Sequence, residues 1–198
     1  MSELVAHIAE RIQGEGRPSS DYDLNPDIVL PAGRKLRPAA VLIPLIERNG
    51  GLHVILTMRS SALKHHPGQI AFPGGKIDDT DADVTAAALR EAREEIGLPP
   101  EQVDILGTLP SHETVTGFTV TPVIGAVRGS FQVIPEPGEV EEVFFVPLDH
   151  VTDARQFSVQ SRRWRGQQRH YYTVPYGPYY IWGATARMLR ALSDRVSA

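Results

Sequence analysis

The 198-residue chain contains no cysteine, which excludes a disulfide framework, a thiolate metal site and a cysteine nucleophile. It also has no stretch near the roughly 18 apolar residues that a membrane span needs. Its N-terminus lacks the charged segment and apolar run of a secretory signal. A formal net charge of −4 argues against a general nucleic-acid binder. We therefore expect a cytoplasmic protein that binds neither membranes nor nucleic acid.

The composition is typical of one soluble globular domain. Hydrophobic residues make up 41% of the chain and charged residues 22%, and the length suffices for one substantial core. A helix is expected over residues 3–13, followed by an arm rich in glycine, proline, serine and aspartate. We predict that residues 1–35 form this appended helix and arm, and that residues 36–198 form a single domain.

Apolar and β-branched runs separated by turn residues predict a series of strands around one long helix. Asn49-Gly50-Gly51 is a strong hairpin signal between the first two of these strands. The predicted strands cover residues 39–47, 52–58, 69–72, 103–109, 118–127, part of 138–148, 157–163 and 169–175, the last two joined by a turn at 165–166. The predicted helices cover residues 81–96 and 181–196, with a helical turn at 148–153. For the first of them, Asp81 or Asp83 is the candidate N-cap and Gly97 is expected just after its end. This order predicts an α/β layered domain with a mixed sheet.

The helix predicted over residues 81–96 has one acidic face. At roughly 100° per residue, Glu91, Glu94 and Glu95 project from the same side. Arg90 lies one turn before Glu94, where it can pair with that carboxylate. A separate apolar stripe would pack against the core. Its members are Thr85, Ala88, Leu89, Ala92 and Ile96.

The three glutamates would destabilise a helix that had only a structural role. Like charges at i,i+3 and i,i+4 cost roughly 0.2–0.5 kcal/mol per pair. Acidic groups near a helix C-terminus oppose the dipole by roughly 0.3–1 kcal/mol each. A divalent cation would reverse both penalties, because hard cations such as Mg²⁺ take carboxylate oxygens. The alternative is a solvated acidic face, but three glutamates behind Gly74-Gly75 favour a metal site.

The stretch from Gly75 to Leu98 resembles the signature of the Nudix hydrolases. Its second half, REAREEIGL, fits that signature at every fixed position. Its first half differs, because Asp81 replaces a glutamate and the spacer from Gly75 to Arg90 is one residue longer than the general pattern. In both of these differences the chain resembles the coenzyme A pyrophosphatase-like subgroup. Members of that subgroup also have an upstream motif, which residues 56–75 of this chain resemble. The resemblance implies a Nudix-type α/β/α sandwich with a mixed β-sheet.

The resemblance also implies a metal site on the acidic helix. The implied ligands of Mg²⁺ or Mn²⁺ are Glu91, Glu94, Glu95 and the carbonyl of Gly75. Arg90 would orient Glu94, and its simpler interpretation is an ordinary ion pair within the helix. Such enzymes hydrolyse a nucleoside diphosphate linked to another group, and the metal ions neutralise the diphosphate and activate water.

The sequence does not decide which glutamate is the general base. Glu94 is our first choice, because a glutamate of the metal helix can activate water. A glutamate from the later loop, Glu139 or Glu142, is the alternative, as in other branches of the family. Either loop glutamate can also be a simple exposed acid with no role in the chemistry.

Substrate contacts are expected just before the acidic helix. Arg59 ends a strand beside the metal loop, where its planar guanidinium can bind a phosphate as a fork. The candidate substrate-binding residues are Arg59, Ser60, Lys64, His66, Gln69 and Thr116. Simpler interpretations are a packing hydrogen bond for His65 or His66 and a turn position for Thr116.

An arginine cluster marks the late hairpin. Its members are Arg162, Arg163, Arg165 and Arg169. We interpret it as a solvated hairpin surface, with a dimer contact or the steering of a phosphate as alternatives.

The predicted activity is the Mg²⁺- or Mn²⁺-dependent hydrolysis of the pyrophosphate bond of coenzyme A or acyl-CoA. The resemblance implies the products 3′,5′-ADP and 4′-phosphopantetheine. Hydrolysis of ADP-ribose, NADH or nucleoside triphosphates is one alternative, and a non-catalytic nucleotide-binding domain is another. The expected partner is a small nucleotide, and the sequence does not decide whether the chain forms a homodimer.

Overall fold

The computed structural model describes residues 2–14, 16–164 and 166–197, which contain eleven strands and four α-helices. The strands are β1 (Ser19–Ser20), β2 (Arg37–Arg48), β3 (Gly51–Arg59), β4 (Ile70–Ala71), β5 (Gly74–Lys76), β6 (Val103–Thr108), β7 (His112–Glu113), β8 (Phe118–Val127), β9 (Val140–Pro147), β10 (Ser158–Trp164) and β11 (Gln167–Thr173). The helices are α1 (Glu3–Arg11), α2 (Val84–Ile96), α3 (Leu148–Thr152) and α4 (Gly183–Val196). Two 3₁₀ turns span Pro100–Gln102 and Ala154–Gln156.

Nine of the described strands form one mixed sheet. Its main order is β1–β7–β8–β2–β3–β4, while β5 pairs with β2, β6 with β8 and β9 with β3. The β2–β8 and β1–β7 pairs are parallel, and the other pairs are antiparallel. β10 and β11 pair only with each other within these sheets and make a separate two-stranded ribbon. The predicted mixed sheet is thus confirmed.

The predicted first hairpin is present. β2 and β3 pair from Arg48↔Gly51 inward, and both turn residues have positive φ, 50° at Asn49 and 80° at Gly50. An Asn-Gly pair favours this turn because both residues tolerate the left-handed region, and its twist matches that of the strands. The hairpin places β3, and with it Arg59, next to the centre of the sheet.

The acidic helix α2 begins at Val84, slightly later than its predicted start. Asp83 is the N-cap, since its side chain accepts a hydrogen bond from the N–H of Ala86 at 2.8 Å. Asp81, the other candidate cap, lies outside the helix and binds Arg90 instead. Gly97 ends the helix in the left-handed conformation with φ of 73°, as the sequence predicts.

Helices cover both faces of the sheet. On one face, α2 buries alanines and Ile96 against apolar residues of β2 and β8. On the other face, α1, α3 and α4 enclose a larger core. The members of that core contributed by these helices include Val5, Ile8, Leu148, Val151, Leu189 and Leu192. The α/β/α sandwich implied by the family resemblance is therefore confirmed.

The N-terminal arm joins the sheet through a short strand that the sequence does not predict. Ser19 and Ser20 of β1 pair in parallel with His112 and Glu113 of β7. Two-residue polar strands have no periodicity to detect, so both strands read as loop. The boundary predicted at residue 35 stays a prediction.

Two further sequence expectations concern membranes and the late hairpin. In the part of the chain that the structure describes, no helix is long and apolar enough to cross a membrane. The late hairpin is present as β10 and β11. Its predicted turn includes Arg165, which lies outside the described residues.

Candidate active site

Glu95 is a buried carboxylate in the last turn of α2. Only 5% of the residue is exposed, and its Oε2 accepts a hydrogen bond of 3.3 Å from the N–H of Gly74. Burial, with the nearby charge of Glu91 as the next cause, raises the pKa of Glu95 to about 8. Because ionised carboxylates are rarely buried without a counter-charge, this position suits a cation ligand.

Glu91 packs against the backbone of Gly75. A Cβ at residue 75 would lie 2.6 Å from Cδ of Glu91, so only glycine lets the carboxylate approach the strand this closely. β5 is fixed there by pairing of Gly75 with Ala40 and of Gly74 with Val41. Burial raises the pKa of Glu91, opposed by Arg90 and reinforced by other nearby carboxylates.

Arg90 links the acidic helix to the loop that precedes it. Its Nε and Nη2 donate to the two carboxylate oxygens of Asp81, both at 2.9 Å. Its Nη1 donates to Glu91 at 3.0 Å and to Glu94 at 3.1 Å, and Nη2 also donates to the carbonyl of Lys76. The pairing of Arg90 with Glu94 predicted from the sequence is confirmed, and Arg90 holds Glu91 as well.

Asp81 has a role that sequence reasoning missed. It accepts a fork of hydrogen bonds from Arg90 and one from the N–H of Asp78. The hydrogen bond from Arg90 lowers the pKa of Asp81, with the N–H of Asp78 as the next cause. The spacing offered a signal, because Asp81 occupies the acidic position of the Nudix signature before the helix.

Glu94 differs from the other two helix glutamates because it is open to solvent. Its side chain is 58% exposed, against 17% for the side chain of Glu91. A carboxylate that is exposed and oriented by Arg90 can reach a bound substrate or water without a desolvation penalty. The structure therefore gives the three predicted ligands three different environments.

Glu139 approaches the acidic helix from a separate loop. The loop before β9 docks on the end of α2, since the N–H groups of Ile134 and Glu136 donate to the carbonyls of Ile96 and Glu95. These bonds satisfy carbonyls that the helix end leaves without partners. The charge of Glu139 contributes to the raised pKa of both Glu91 and Glu95.

Glu142 is engaged elsewhere. It lies in β9 and accepts a 2.5 Å hydrogen bond from the hydroxyl of Tyr179. The ring of Tyr179 in turn stacks on Phe144, with 3.6 Å between the ring centroids. This arrangement favours a packing role for Glu142 and leaves Glu139 as the loop glutamate that faces the helix carboxylates.

The donor chemistry of this cluster fits a hard divalent cation. Four carboxylates, those of Glu91, Glu94, Glu95 and Glu139, interact electrostatically at one place, and a cation would relieve their mutual repulsion. Within residues 2–14, 16–164 and 166–197, no three acidic or histidine side chains are arranged as a complete metal site. Arg90 instead holds Glu91 and Glu94 by hydrogen bonds. Metal ligation by the predicted residues stays a prediction.

A cavity of about 420 Å³ opens beside the glutamates, and Gly74 forms part of its wall. Four of the six predicted substrate residues line it, namely Arg59, His66, Gln69 and Thr116. Ser60 and Lys64 do not. The hydroxyl of Ser60 accepts a bond from the N–H of Ala62 in a local turn, and Lys64 is exposed.

Arg59 lines this cavity, and one nitrogen of its side chain lacks a hydrogen-bond partner among the described residues. Its Nε is buried and has no hydrogen-bond partner among the described residues. Because buried donors are nearly always paired, this atom indicates a site for an anionic ligand. His66, which also lines the cavity, has a pKa lowered by burial and next by the charge of Arg59.

Apart from Arg162 and Arg169, the residues of the far wall of the cavity were not predicted from the sequence. The far wall comprises residues of the N-terminal arm, the late ribbon and the start of α4: Asp21, Asn25, Arg162, Arg169, Tyr171 and Trp182. The expectation of a solvated arginine cluster agrees with the exposed side chains of Arg162 and Arg163. Arg169 is half-buried, and both Arg162 and Arg169 also line this cavity. Arg165 lies outside the described residues.

An acidic helix behind a Gly-Gly strand, on a sheet covered by helices, matches a known enzyme class. Residues 35–166 match the NUDIX domain family. The chain therefore belongs to the Nudix hydrolases, as the sequence resemblance implied.

Two relatives support the same assignment. The chain is 44% identical over 161 residues to the protein named "Uncharacterized Nudix hydrolase NudL" of Enterobacter sp. (strain 638), covering 81% of this chain and 83% of the relative. It is 39% identical over 191 residues to the protein of the same name in Klebsiella pneumoniae (strain 342), covering 90% of this chain and 98% of that relative.

Solved structures agree on the fold. The Nudix hydrolase RenU of M. smegmatis has a TM-score of 0.50 and 29% identity, over 60% of this chain and 75% of that one. A MutT/nudix family protein from Enterococcus faecalis has a TM-score of 0.53 and 18% identity, over 86% of this chain and 66% of its own. The second similarity bears on the fold alone.

Proposed function

We propose that this Nudix hydrolase cleaves the pyrophosphate bond of coenzyme A or acyl-CoA with the help of Mg²⁺ or Mn²⁺, giving 3′,5′-ADP and 4′-phosphopantetheine or its acyl form. One observation carries the proposal. The cavity lined by Arg59, His66 and Gln69 of the upstream motif is also lined by Gly74, whose N–H donates to Glu95 of the acidic helix. The motif similar to that of the CoA subgroup thus adjoins the carboxylates.

The residues that would hold the metal are Glu91, Glu94, Glu95 and the carbonyl of Gly75. A bound divalent cation supplies charge neutralisation to the diphosphate and lowers the pKa of water. Glu95 is the deepest of these ligands, and its hydrogen bond from Gly74 keeps one carboxylate oxygen directed at β5. Arg90 keeps Glu91 and Glu94 oriented towards the same side.

Arg59 would bind the diphosphate from the cavity side. Its buried, unpaired Nε would donate a charge-assisted hydrogen bond to a phosphate oxygen, and the planar guanidinium can hold two oxygens at once. The anion would thus lie between Arg59 and the acidic helix. Its position there would be fixed from both sides, which is the main contribution of a protein to phosphoryl chemistry.

Glu94 is our choice for the general base. Its exposed carboxylate can accept the proton of the attacking water, and Arg90 fixes its orientation. Glu139 is the alternative, supported by its proximity to Glu91 and Glu95. Both residues can be tested separately, because they lie on different elements.

A substrate panel tests the proposed activity. The protein is incubated with Mg²⁺ or Mn²⁺ and with CoA, an acyl-CoA, NADH, ADP-ribose and nucleoside triphosphates, and kcat/KM is measured for each. We expect CoA or acyl-CoA to give the highest value. Efficient cleavage of ADP-ribose with CoA untouched would replace the CoA assignment by a different Nudix activity, and binding without turnover of any substrate would indicate a non-catalytic domain.

Arg90→Lys is expected to reduce the hydrolase activity by about 10–100-fold, the range seen when a group that orients metal ligands is changed. Lysine keeps the positive charge but cannot reproduce the fork to Asp81 or reach two glutamates at once. Steady-state kinetics at varied Mg²⁺ would measure the loss. Arg93→Lys on the exposed side of the same helix is the matched control, and equal activity of both variants would argue against the orienting role.

A further inference from the structure

Two arginines of the late ribbon face each other directly. Arg162 of β10 and Arg169 of β11 are opposite partners in the antiparallel pair. Like charges in directly opposite positions destabilise a β-ribbon. Both residues line the cavity described above, so this unfavourable pair is placed where an anion could reach it.

The opposite face of the ribbon does not line the cavity at the corresponding positions. Side chains alternate between the two faces of a strand, so Arg163 and its partner Gln168 project away from Arg162 and Arg169. Neither Arg163 nor Gln168 lines the cavity. The arginine pair therefore belongs to one face only.

Aromatic side chains adjoin the arginine pair on the cavity wall. The guanidinium carbon of Arg162 lies 4.4 Å from the ring centroid of Trp182. Tyr171 meets Trp182 edge-on, with 5.1 Å between their centroids. A flat base can pack on such rings while an attached phosphate meets the arginines, a combination that suits a phosphorylated nucleoside.

The N-terminal arm holds the ribbon in this position. The side chain of Asn25 donates to the carbonyl of His170 at 2.9 Å and accepts from its N–H at 2.8 Å. Asn25 also donates to the backbone carbonyl of Asp21, and the carboxylate of Asp21 accepts bonds from His112 and from the N–H of Val115. The arm and β11 both lie outside the family match of residues 35–166. Arg162 of β10 lies within that match, so this wall combines the matched domain with segments outside it.

The cationic groups of the cavity exceed what one diphosphate needs. A metal on the acidic helix and Arg59 would already neutralise the bond to be cleaved. Arg162 and Arg169 come from the late ribbon, a different wall of the cavity from Arg59. A second anionic group of the substrate would match these two arginines.

We propose that Arg162 and Arg169 form a subsite for a phosphomonoester carried by the nucleoside of the substrate, distinct from the hydrolysed diphosphate, with the base against Tyr171 and Trp182. The inference deepens the proposed function and rests on it for the identity of the substrate. It makes the ribbon the part of the chain that selects nucleosides carrying this additional phosphate over those without it.

Binding without catalysis tests the subsite. Calorimetry compares 3′,5′-ADP with 5′-AMP, which differ only in the additional phosphate. The unmodified protein is expected to bind 3′,5′-ADP at least about tenfold more tightly, the scale of one charge-assisted pair. Arg162→Gln should bring the two affinities within about threefold of each other. Arg163→Gln makes the same charge change on the opposite face and should leave the preference intact.

Kinetics on CoA and 3′-dephospho-CoA separate the subsite from the proposed activity. Arg162→Gln should lower kcat/KM for CoA by about tenfold, mainly through KM, and leave 3′-dephospho-CoA within about twofold. Equal affinity of the unmodified protein for 3′,5′-ADP and 5′-AMP, or an equal effect of Arg162→Gln and Arg163→Gln, would overturn the subsite even if CoA is cleaved. Preferential binding of 3′,5′-ADP without cleavage of CoA would support the subsite and reject the proposed substrate.

Discussion

Glu94→Gln is expected to lower kcat by about 10²–10⁴-fold, the usual contribution of a positioned general base. Glutamine keeps the shape of the side chain but can neither accept the proton of water nor bind a hard cation with a full negative charge. Because the side chain is 58% exposed, the thermal midpoint should change little. Turnover at saturating Mg²⁺ measures the loss of chemistry, and thermal unfolding checks the fold.

Two further variants serve as a control for that result and as a test of the alternative base. Glu101→Gln makes the same change at an exposed position just after α2 and should retain normal turnover. Glu139→Gln tests the alternative base on the neighbouring loop. Near-normal kcat in Glu94→Gln, together with a large loss in Glu139→Gln, would transfer the role of base from the helix to the loop.

Glu95→Gln is expected to stabilise the metal-free protein at pH 8. The pKa of Glu95 is about 8 in the folded chain, against an ordinary value of 4.5, so the folded state binds more protons than the unfolded state between these values. Stability from this group is therefore present at low pH and is lost as the pH rises towards 8. Each pKa unit corresponds to about 1.4 kcal/mol, so the penalty at pH 8 is on the order of a few kcal/mol.

Thermal unfolding in the presence of EDTA measures this effect. At pH 8 the midpoint of Glu95→Gln should exceed that of the unmodified protein by several degrees, at about 2–4 °C per kcal/mol for a chain of this size. Near pH 4.5 the two midpoints should converge. Glutamine retains an oxygen that can accept the hydrogen bond from Gly74, and exposed Glu101→Gln serves as the control. A lower midpoint for Glu95→Gln at pH 8 would contradict a destabilising buried charge.

Local signals in the sequence predict much of the fold. Asn49-Gly50 identifies the first hairpin, Asp83 and Gly97 are the two caps of the acidic helix, and the predicted strand over 118–127 has the bounds of β8. Each of these features depends on neighbouring residues only. Helical periodicity likewise brings Arg90 to Glu94, a pairing that the structure contains.

The cavity depends on distant contacts, and these are what the sequence leaves undetermined. Asn25 is hydrogen-bonded to His170, which lies 145 positions away in the chain, and no local sequence pattern predicts this contact. The short strand β1 is too brief for periodicity to detect. Arg162 and Arg163 look equivalent in the sequence, and only their register in the ribbon places Arg162 on the face that lines the cavity and Arg163 on the opposite face.

The most direct test of the account is to identify the products formed from CoA in water enriched in ¹⁸O. Mass spectrometry should find 3′,5′-ADP and 4′-phosphopantetheine, with a single ¹⁸O in one of the two, formed only when Mg²⁺ or Mn²⁺ is present and nearly absent with Glu94→Gln. Intact CoA under conditions in which ADP-ribose or a nucleoside triphosphate is hydrolysed would contradict the proposed substrate. Equal product formation in EDTA would contradict the proposed role of the acidic helix.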